Sequence, residues 1–491
     1  MSDVSFTEFP TDWRVPGTRV EIRPSYANAG IAGYPARMLV LAPRPAAGTG
    51  ALNVPHRISR ADQAAALAGS GSIPDQMVRA IRRANPFSEL WLILVADPTS
   101  GATAATGSLA FSGTPSANGT MGVYVGGRRY ALNIATTDTP TAIATRLAAL
   151  ITADVAAQVT AIATTGTVAV THKHLGALGN AVRLEVNRAA EEATPAGLTC
   201  AVTAMASGAG AADVATAIAA IPTLWFTCIA SAFNDSTNLA LLSTEMDRRY
   251  AANGKLDGRV YWSIQAAYGA LITAGGAQNG RFLTCLPCYA SSTPPWVWAA
   301  TCAGVAQLAL ANDPARQLRG LALPGVIAPD AASQPIESEQ DALLRKGMST
   351  FEVTQDGGVV IQRLITMYQV TSLGVADTAW LDIMRPETLS RIRYDWRVYR
   401  DTVWPRHKLA PDGSQAANHA DSILTPDRAK AAWAGKMRAW ERQGWIVNVG
   451  ADAANATFAI DPNNVNRLVQ RAPLTVIGNL MQLDAAFEFQ A

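Results

Sequence analysis

Charge is what this chain has least of. Only 16% of its 491 residues are Asp, Glu, Lys or Arg, against roughly 25% in a typical soluble protein. The two signs nearly cancel, at a formal net charge of +2, so no global field draws the chain to nucleic acid or to an anionic membrane surface. So little charge fits either a surface largely hidden in contacts with other chains or a large core under an alanine-rich surface, and composition leaves both open. Cysteine is sparse as well. Cys200, Cys228, Cys285, Cys288 and Cys302 are odd in number and have apolar neighbours, which favours buried free thiols over a disulfide framework. The longest apolar run, residues 296–311, is too short to span a bilayer and contains Thr301 and Gln307. Met1-Ser2-Asp3-Val4 lacks the basic and apolar regions of a secretory leader. A soluble protein made in a cytoplasm, without direct membrane insertion, is the expectation.

Motifs that carry chemistry are missing too. A nucleotide-binding loop needs glycine-rich backbone after a strand and a Lys-Ser/Thr pair. Gly69-Ser70-Gly71-Ser72 follows a helix and has no such lysine, and Gly275-Gly276 lacks the pattern. No Gly-x-Ser-x-Gly elbow occurs. Cys285-Leu286-Pro287-Cys288 has redox spacing, but it sits at a strand end and not at the helix start that would lower a thiol pKa. His172-Lys173-His174 puts two imidazoles on one face of a strand, and no third metal ligand lies nearby; a solvated hairpin end is expected there. His56, His407 and His419 are scattered, and the glycosylation triplets at Asn118, Asn234 and Asn455 are chance matches without secretion. No catalytic, cofactor-binding or metal-binding residue is nominated.

Tryptophan marks the organisation. All twelve lie outside residues 92–224. Within that stretch, residues 99–210 are rich in Ala, Thr, Gly and Ser, with short strands expected at 121–125, 129–134, 167–171 and 182–186, a Gly126-Gly127 hairpin turn and a helix over 139–153. They read as a small α+β insertion. The flanks, 31–98 and 211–345, read as one α/β domain that the insertion splits. Strands at 36–41, 90–96, 224–230, 260–264 and 282–286 alternate with helices at 60–68, 74–84, 213–220, 238–252 and 268–274, the spacing of a parallel sheet with crossovers. Residues 90–95 are continuously apolar, as in a strand buried on both faces. From about 346 the grammar changes. Strands at 348–354 and 359–366 flank Asp356-Gly357-Gly358, and helices at 387–402 and 426–442 follow, the second with Thr425 as N-cap. Strands at 445–449 and 465–469 complete a module ending near 472. The first thirty-odd residues hold four prolines, the last of them Pro35, and read as an extended arm over 1–30. The fold class is therefore multidomain, α/β and α+β, with extended terminal arms.

The last eleven residues alternate. Met481, Leu483, Ala485, Phe487 and Phe489 fall on one face, and Gln482, Asp484, Ala486, Glu488 and Gln490 on the other. A strand with an apolar face and no following partner must be covered by an earlier strand or by another subunit. Two helices concentrate charge. Arg393, Arg397 and Arg400 share a face of 387–402, while Leu389, Ile392, Trp396 and Tyr399 share another. Arg428, Lys430, Lys436, Arg438 and Arg442 make 426–442 basic, with only Asp427 and Glu441 opposing. A solvated amphipathic face and a docking face for an acidic partner both fit.

The two ends together resemble a known family. Arg14-Val15-Pro16-Gly17-Thr18-Arg19-Val20-Glu21-Ile22 stands near the start. Asn463-Asn464-Val465-Asn466-Arg467-Leu468 and Pro473-Leu474-Thr475-Val476-Ile477-Gly478-Asn479-Leu480 precede Ala485-Ala486-Phe487-Glu488-Phe489 at the end. With the order of elements, this resembles the tail sheath protein of contractile-tailed bacteriophages, in particular the Mu-like group. The resemblance implies a structural, non-enzymatic subunit of the virion, assembled in the bacterial host cytoplasm. It implies hexameric rings stacked around a tail tube, with terminal arms adding strands to neighbouring subunits, and contraction that drives the tube through the host envelope. Its partners would be other copies of itself, the tail tube protein, and the baseplate and tail terminator proteins. On this reading Val15, Val20 and Ile22 belong to the N-terminal arm. Leu474, Val476, Leu480, Met481, Leu483, Phe487 and Phe489 form the inter-subunit strand, in a C-terminal arm spanning 473–491. Arg428, Lys430, Lys436, Arg438 and Arg442 are the tube-facing candidates, and the insertion lies on the outer surface. An α/β enzyme with an unrecognised ligand, and another tail or capsid component, are the alternatives.

Overall fold

The computed structural model describes residues 14–16, 18, 30–418 and 422–488, and the chain divides into two compact units, Pro35–Ser390 and Met1–Tyr34 with Arg391–Ala491. The larger unit opens with β1 (Arg37–Arg44), β2 (Pro55–Ile58), α1 (Asp62–Ala68), α2 (Ile73–Ala84) and β3 (Glu89–Ala96). Proline at the first turn of α2 sits where its missing N–H costs nothing. Ile73, Met77, Val78 and Ile81 then fall on one buried face. Leu90, Leu92, Ile93 and Leu94 of β3 are fully enclosed, as the continuous apolar run predicts.

The insertion follows: β4 (Ala104–Gly113), β5 (Gly119–Val125), β6 (Arg128–Ile134), α3 (Pro140–Ala153), β7 (Val159–Thr164), β8 (Thr167–Leu175), β9 (Leu184–Val186) and β10 (Leu198–Ala206). It builds an antiparallel sheet of order β10-β4-β8-β7 and a second of order β6-β5-β9. Gly126 and Gly127, both at positive φ (53° and 82°), make the two-residue turn between β5 and β6. Thr139 caps α3, its hydroxyl accepting from Ala142 N at 3.2 Å. Ile143, Leu147 and Ile151 bury the face of α3 that packs on strands of both sheets. An antiparallel bridge between Thr103 and Ala209 closes the neck.

The chain returns through α4 (Ala215–Ala219), β11 (Cys228–Ser231), α5 (Ser236–Tyr250), β12 (Arg259–Trp262), α6 (Tyr268–Gly276), β13 (Leu283–Cys285), α7 (Pro295–Asn312) and α8 (Glu337–Arg345). The sheet runs β13-β12-β11-β1-β3-β2, parallel throughout except for β2, which lies antiparallel on β3. Helix α7 is buried on nearly all sides, with Trp296, Trp298, Ala299, Ala303 and Ala306 at 1% exposure or less, so its long apolar run is the centre of a large core. The hairpin β14 (Thr350–Val353) and β15 (Val359–Arg363) stays in this unit, because Met348 bridges Cys285 and Val360 bridges Ala322. The division falls after Ser390 and not near residue 345 as the sequence predicts.

That division lies inside α9 (Met384–Val403). The smaller unit continues with β16 (Lys408–Leu409), β17 (Ile423–Leu424), α10 (Pro426–Arg442), β18 (Ile446–Val447), α11 (Val449–Ala454), β19 (Thr457–Asp461), β20 (Asn464–Arg471) and β21 (Thr475–Val476). Thr425 caps α10 by accepting from Arg428 N at 3.3 Å. Aromatic side chains form its core. Trp433 meets Trp396 and Trp440 edge to face at 4.9 and 5.1 Å, and Trp396 stacks on Tyr399 at 5.6 Å.

Candidate assembly surface

The carboxyl ends of parallel strands are where α/β sheets ordinarily bind ligands, at the point where strand order reverses. Here that point lies between β1 and β11, where Leu175, Gly176 and Gly210 of the insertion's neck line a small cavity with Pro43 and Phe233. Asp97, just past β3, accepts from Leu175 N at 3.0 Å and from the His174 ring, whose Nδ1 lies 2.9 Å away. His174 Nε2 accepts the Ile73 N–H at 3.0 Å, which places the ring proton on Nδ1. Both ring nitrogens and both carboxylate oxygens are therefore committed. His172 lies beside them, its ring 5.5 Å from that of His174 and 5.9 Å from Trp296. Burial, reinforced by His174, pushes its pKa down to about 3. The expected solvated hairpin end is thus corrected: His172 and His174 are buried where the end of β8 meets Asp97, the start of α2 and Trp296 of α7. Cys228, Cys285, Cys288 and Cys302 are buried and unpaired. Burial pushes the Cys288 and Cys302 thiols up to about 12, away from reactivity. Among the described residues no cluster of His, Cys, Asp or Glu is placed to hold a metal ion, and no helix is long and apolar enough to cross a membrane.

The smaller unit presents the opposite chemistry, apolar groups and open strand edges. In β21, Val476 lies opposite Ile446 and Thr475 opposite Val447 of β18. Thr475 N donates to Asp452 at 2.7 Å and Ile477 N to Trp445 O at 3.1 Å. Val476 therefore pairs on one edge with a strand of its own chain. The pairing stops there. Residues 478–488 lie in no strand ladder, and Leu480, Leu483 and Phe487 are 79%, 83% and 94% exposed. Leu474 and Met481 are half-buried, Val15 is exposed, and Val20, Ile22 and Phe489 lie outside the described residues. The hairpin β19–β20 is a two-stranded sheet on its own, with neither outer edge paired among the described residues. Its Val465 is 73% exposed. Sequence reading found β20 but not its partner β19, a short segment interrupted by alanine.

The basic candidates on α10 separate. Arg438 and Arg442 are exposed one turn apart on the same face. Arg428 donates to the carbonyls of Ile423 and Ala417 at 2.8 and 2.9 Å, and Lys430 to that of Ala454 at 3.0 Å. Lys436 is corrected outright, because it is 2% exposed and paired with the equally buried Asp395. The burial spacing of α10 explains it: Ala429, Trp433, Lys436, Met437 and Trp440 share the inward face.

Comparison with known proteins gives matches of three kinds. Residues 207–367 match the phage tail sheath protein central domain. Over 423 residues the chain is 30% identical to the Mu-like prophage FluMu tail sheath protein of Haemophilus influenzae, covering 86% of each chain. Among solved structures, the sheath of an extracellular contractile injection system in its contracted state aligns at a TM-score of 0.51 with 11% identity, covering 98% of both chains. A sheath tail protein from Listeria innocua aligns at 0.49 with 13% identity, covering 92% of this chain and 94% of its own.

Proposed function

Because the chain belongs to the contractile phage tail sheath family, in its Mu-like branch, we propose that copies of it polymerise as stacked hexameric rings around a tail tube. The rings are knitted by strand exchange, and their contraction drives the tube through the host envelope. The observation that carries this reading is the mismatch within the smaller unit. An extended segment past Ile477 exposes Leu480, Leu483 and Phe487, while β19–β20 offers open edges to a strand from elsewhere. Strand addition would supply main-chain hydrogen bonds, each netting about 1 kcal/mol. Burying Leu483 and Phe487 would add roughly 1.5–3 kcal/mol each. Ordering the arm subtracts from that sum. Eleven residues reach about 36 Å at ~3.3 Å each, enough to meet an adjacent copy.

The tube-facing contact is assigned to the exposed arginines of α10, since exposed ion pairs worth about 0–1 kcal/mol each release readily. Baseplate and terminator proteins would meet the two ends of the polymer. The insertion, with its Ala- and Thr-rich strands, is placed on the outer surface. Electron microscopy of the purified protein tests the proposal. The full chain should give long tubes or stacked rings, and a chain lacking residues 481–491 should give a folded, monodisperse protein without polymers. Equal polymerisation by the truncated chain would overturn the arm-exchange reading.

A further inference from the structure

The Lys436–Asp395 pair does more than fill a core. The Nζ of Lys436 on α10 lies 2.6 Å from Oδ2 of Asp395 on α9, and the two side chains are 2% and 1% exposed. Oδ2 also accepts the indole N–H of Trp440 at 2.6 Å. Each partner also bonds one short piece of backbone. Asp395 Oδ1 accepts the Ala32 N–H at 2.8 Å, and Lys436 Nζ donates to the Gly30 carbonyl at 3.3 Å. Two residues further on, the Tyr34 ring meets Tyr394 edge to face at 5.3 Å, and the Arg391 guanidinium lies 4.5 Å over it. A buried ion pair is not in itself more stabilising than a well-packed apolar pair. This one offers an acceptor and a donor to the N–H and C=O of an extended segment, much as a neighbouring strand would. An apolar pair in its place would leave both backbone groups unsatisfied.

We infer that Asp395 and Lys436 form a clamp that fixes the root of the N-terminal arm to α9 and α10. The clamp reads backbone, and the Tyr34 ring against Tyr394 and Arg391 adds a side-chain contact beside it. A pull exerted on the arm by a second copy of this chain then enters the smaller unit at residues 30–34 and stops short of β1, which begins a few residues later at Arg37. The arm can stay engaged while the larger unit moves. This inference rests on the proposed arm exchange, and it assigns the two residues a positioning role.

Three variants test it. Ala32→Pro removes the backbone donor and leaves the ion pair intact. Asp395→Leu with Lys436→Met replaces the pair by apolar groups. Removal of residues 2–29 takes away the arm itself. In unpolymerised protein, hydrogen exchange of the peptide 30–37 should rise at least tenfold in the first two variants, with the exchange of α10 unchanged in Ala32→Pro. Both should polymerise only at roughly tenfold higher concentration in sedimentation assays, and in the chain lacking residues 2–29 neither should add a further defect. Unchanged exchange at the root in both variants would overturn the clamp, as would a polymerisation defect that persists undiminished without the arm. Normal polymerisation of chains lacking either terminal arm would instead overturn the arm-exchange proposal.

Discussion

Asp97 receives two hydrogen bonds from β8, one from the His174 ring at 2.9 Å and one from Leu175 N at 3.0 Å, and so ties the insertion to the end of β3. An acid at that place in a parallel sheet ordinarily faces ligand; here it is spent on structure. Asp97→Ala leaves two buried donors without acceptors and should cost about 2–4 kcal/mol. Urea denaturation of the unpolymerised protein measures it. A loss below about 0.5 kcal/mol would show that the neck is held by other contacts.

His172 makes the same junction acid-sensitive. Its Nδ1 lies 3.3 Å from both the N–H and the carbonyl oxygen of His174, and its Nε2 has no hydrogen-bond partner. Protonation would place a charge in a site closed to water, with Nε2 lacking an acceptor. The folded-state pKa is pushed down to about 3, chiefly by burial, against about 6.5 in an unfolded chain. Between those values the unfolded state binds more protons, so stability falls as pH falls. The contribution is fully present above about pH 6.5 and is lost by about pH 3, an effect on the order of 4–5 kcal/mol at most. His172→Phe should flatten the dependence of denaturation midpoint on pH between 7 and 4. An unchanged slope would place the acid-sensitive group elsewhere.

Periodicity carried some of these elements and missed others for identifiable reasons. Helix α2 announces itself through the phase of its large apolar side chains, and strand β3 and the run that forms α7 through unbroken apolar stretches. The strands β4, β7 and β10 are written in Ala, Thr, Ser and Gly, whose alternation barely registers, and most of the sheet they build went unpredicted. The triplet His172-Lys173-His174 reveals which two side chains share a face, but nothing local says that Trp296, more than a hundred residues away, will cover it. Lys436 was legible in hindsight. It sits in phase with Trp433 and Trp440, and a basic residue on an apolar stripe needs a buried partner. The alternation of the last residues is plain in the sequence, yet residues 478–488 lie in no strand ladder, and the pairing at Val476 depends on a two-residue partner, β18, too short to specify a register.

The exposed arm predicts a separation of folding from assembly. Leu483 and Phe487 contribute almost no burial to the isolated chain. Leu483→Ser and Phe487→Ser should therefore leave its denaturation within about 0.5 kcal/mol of the parent. If the arm is buried against a neighbour, each should weaken polymerisation by roughly 1.5–3 kcal/mol. That corresponds to a rise in critical concentration of about tenfold or more, measured by sedimentation. A stability loss equal to the assembly loss would mean that the segment folds back onto its own chain.

The last prediction concerns α10, whose basic residues now have unlike roles. Arg438 and Arg442 are exposed and one turn apart, whereas Lys436 is buried against Asp395. Arg438→Glu with Arg442→Glu reverses two surface charges at little cost to folding. If this face meets an acidic tube, each reversal should remove about 1 kcal/mol of attraction, a combined loss of roughly tenfold to thirtyfold in co-sedimentation with purified tube. The loss should shrink as salt is raised, because exposed charges are screened beyond a Debye length. Lys436→Met alone should behave differently. It leaves the Asp395 carboxylate buried without its cation, so the smaller unit should lose about 3–5 kcal/mol of stability, with no salt-dependent change in tube binding by the protein that remains folded. Tube binding indifferent to the double reversal would move the contact to another face of the subunit.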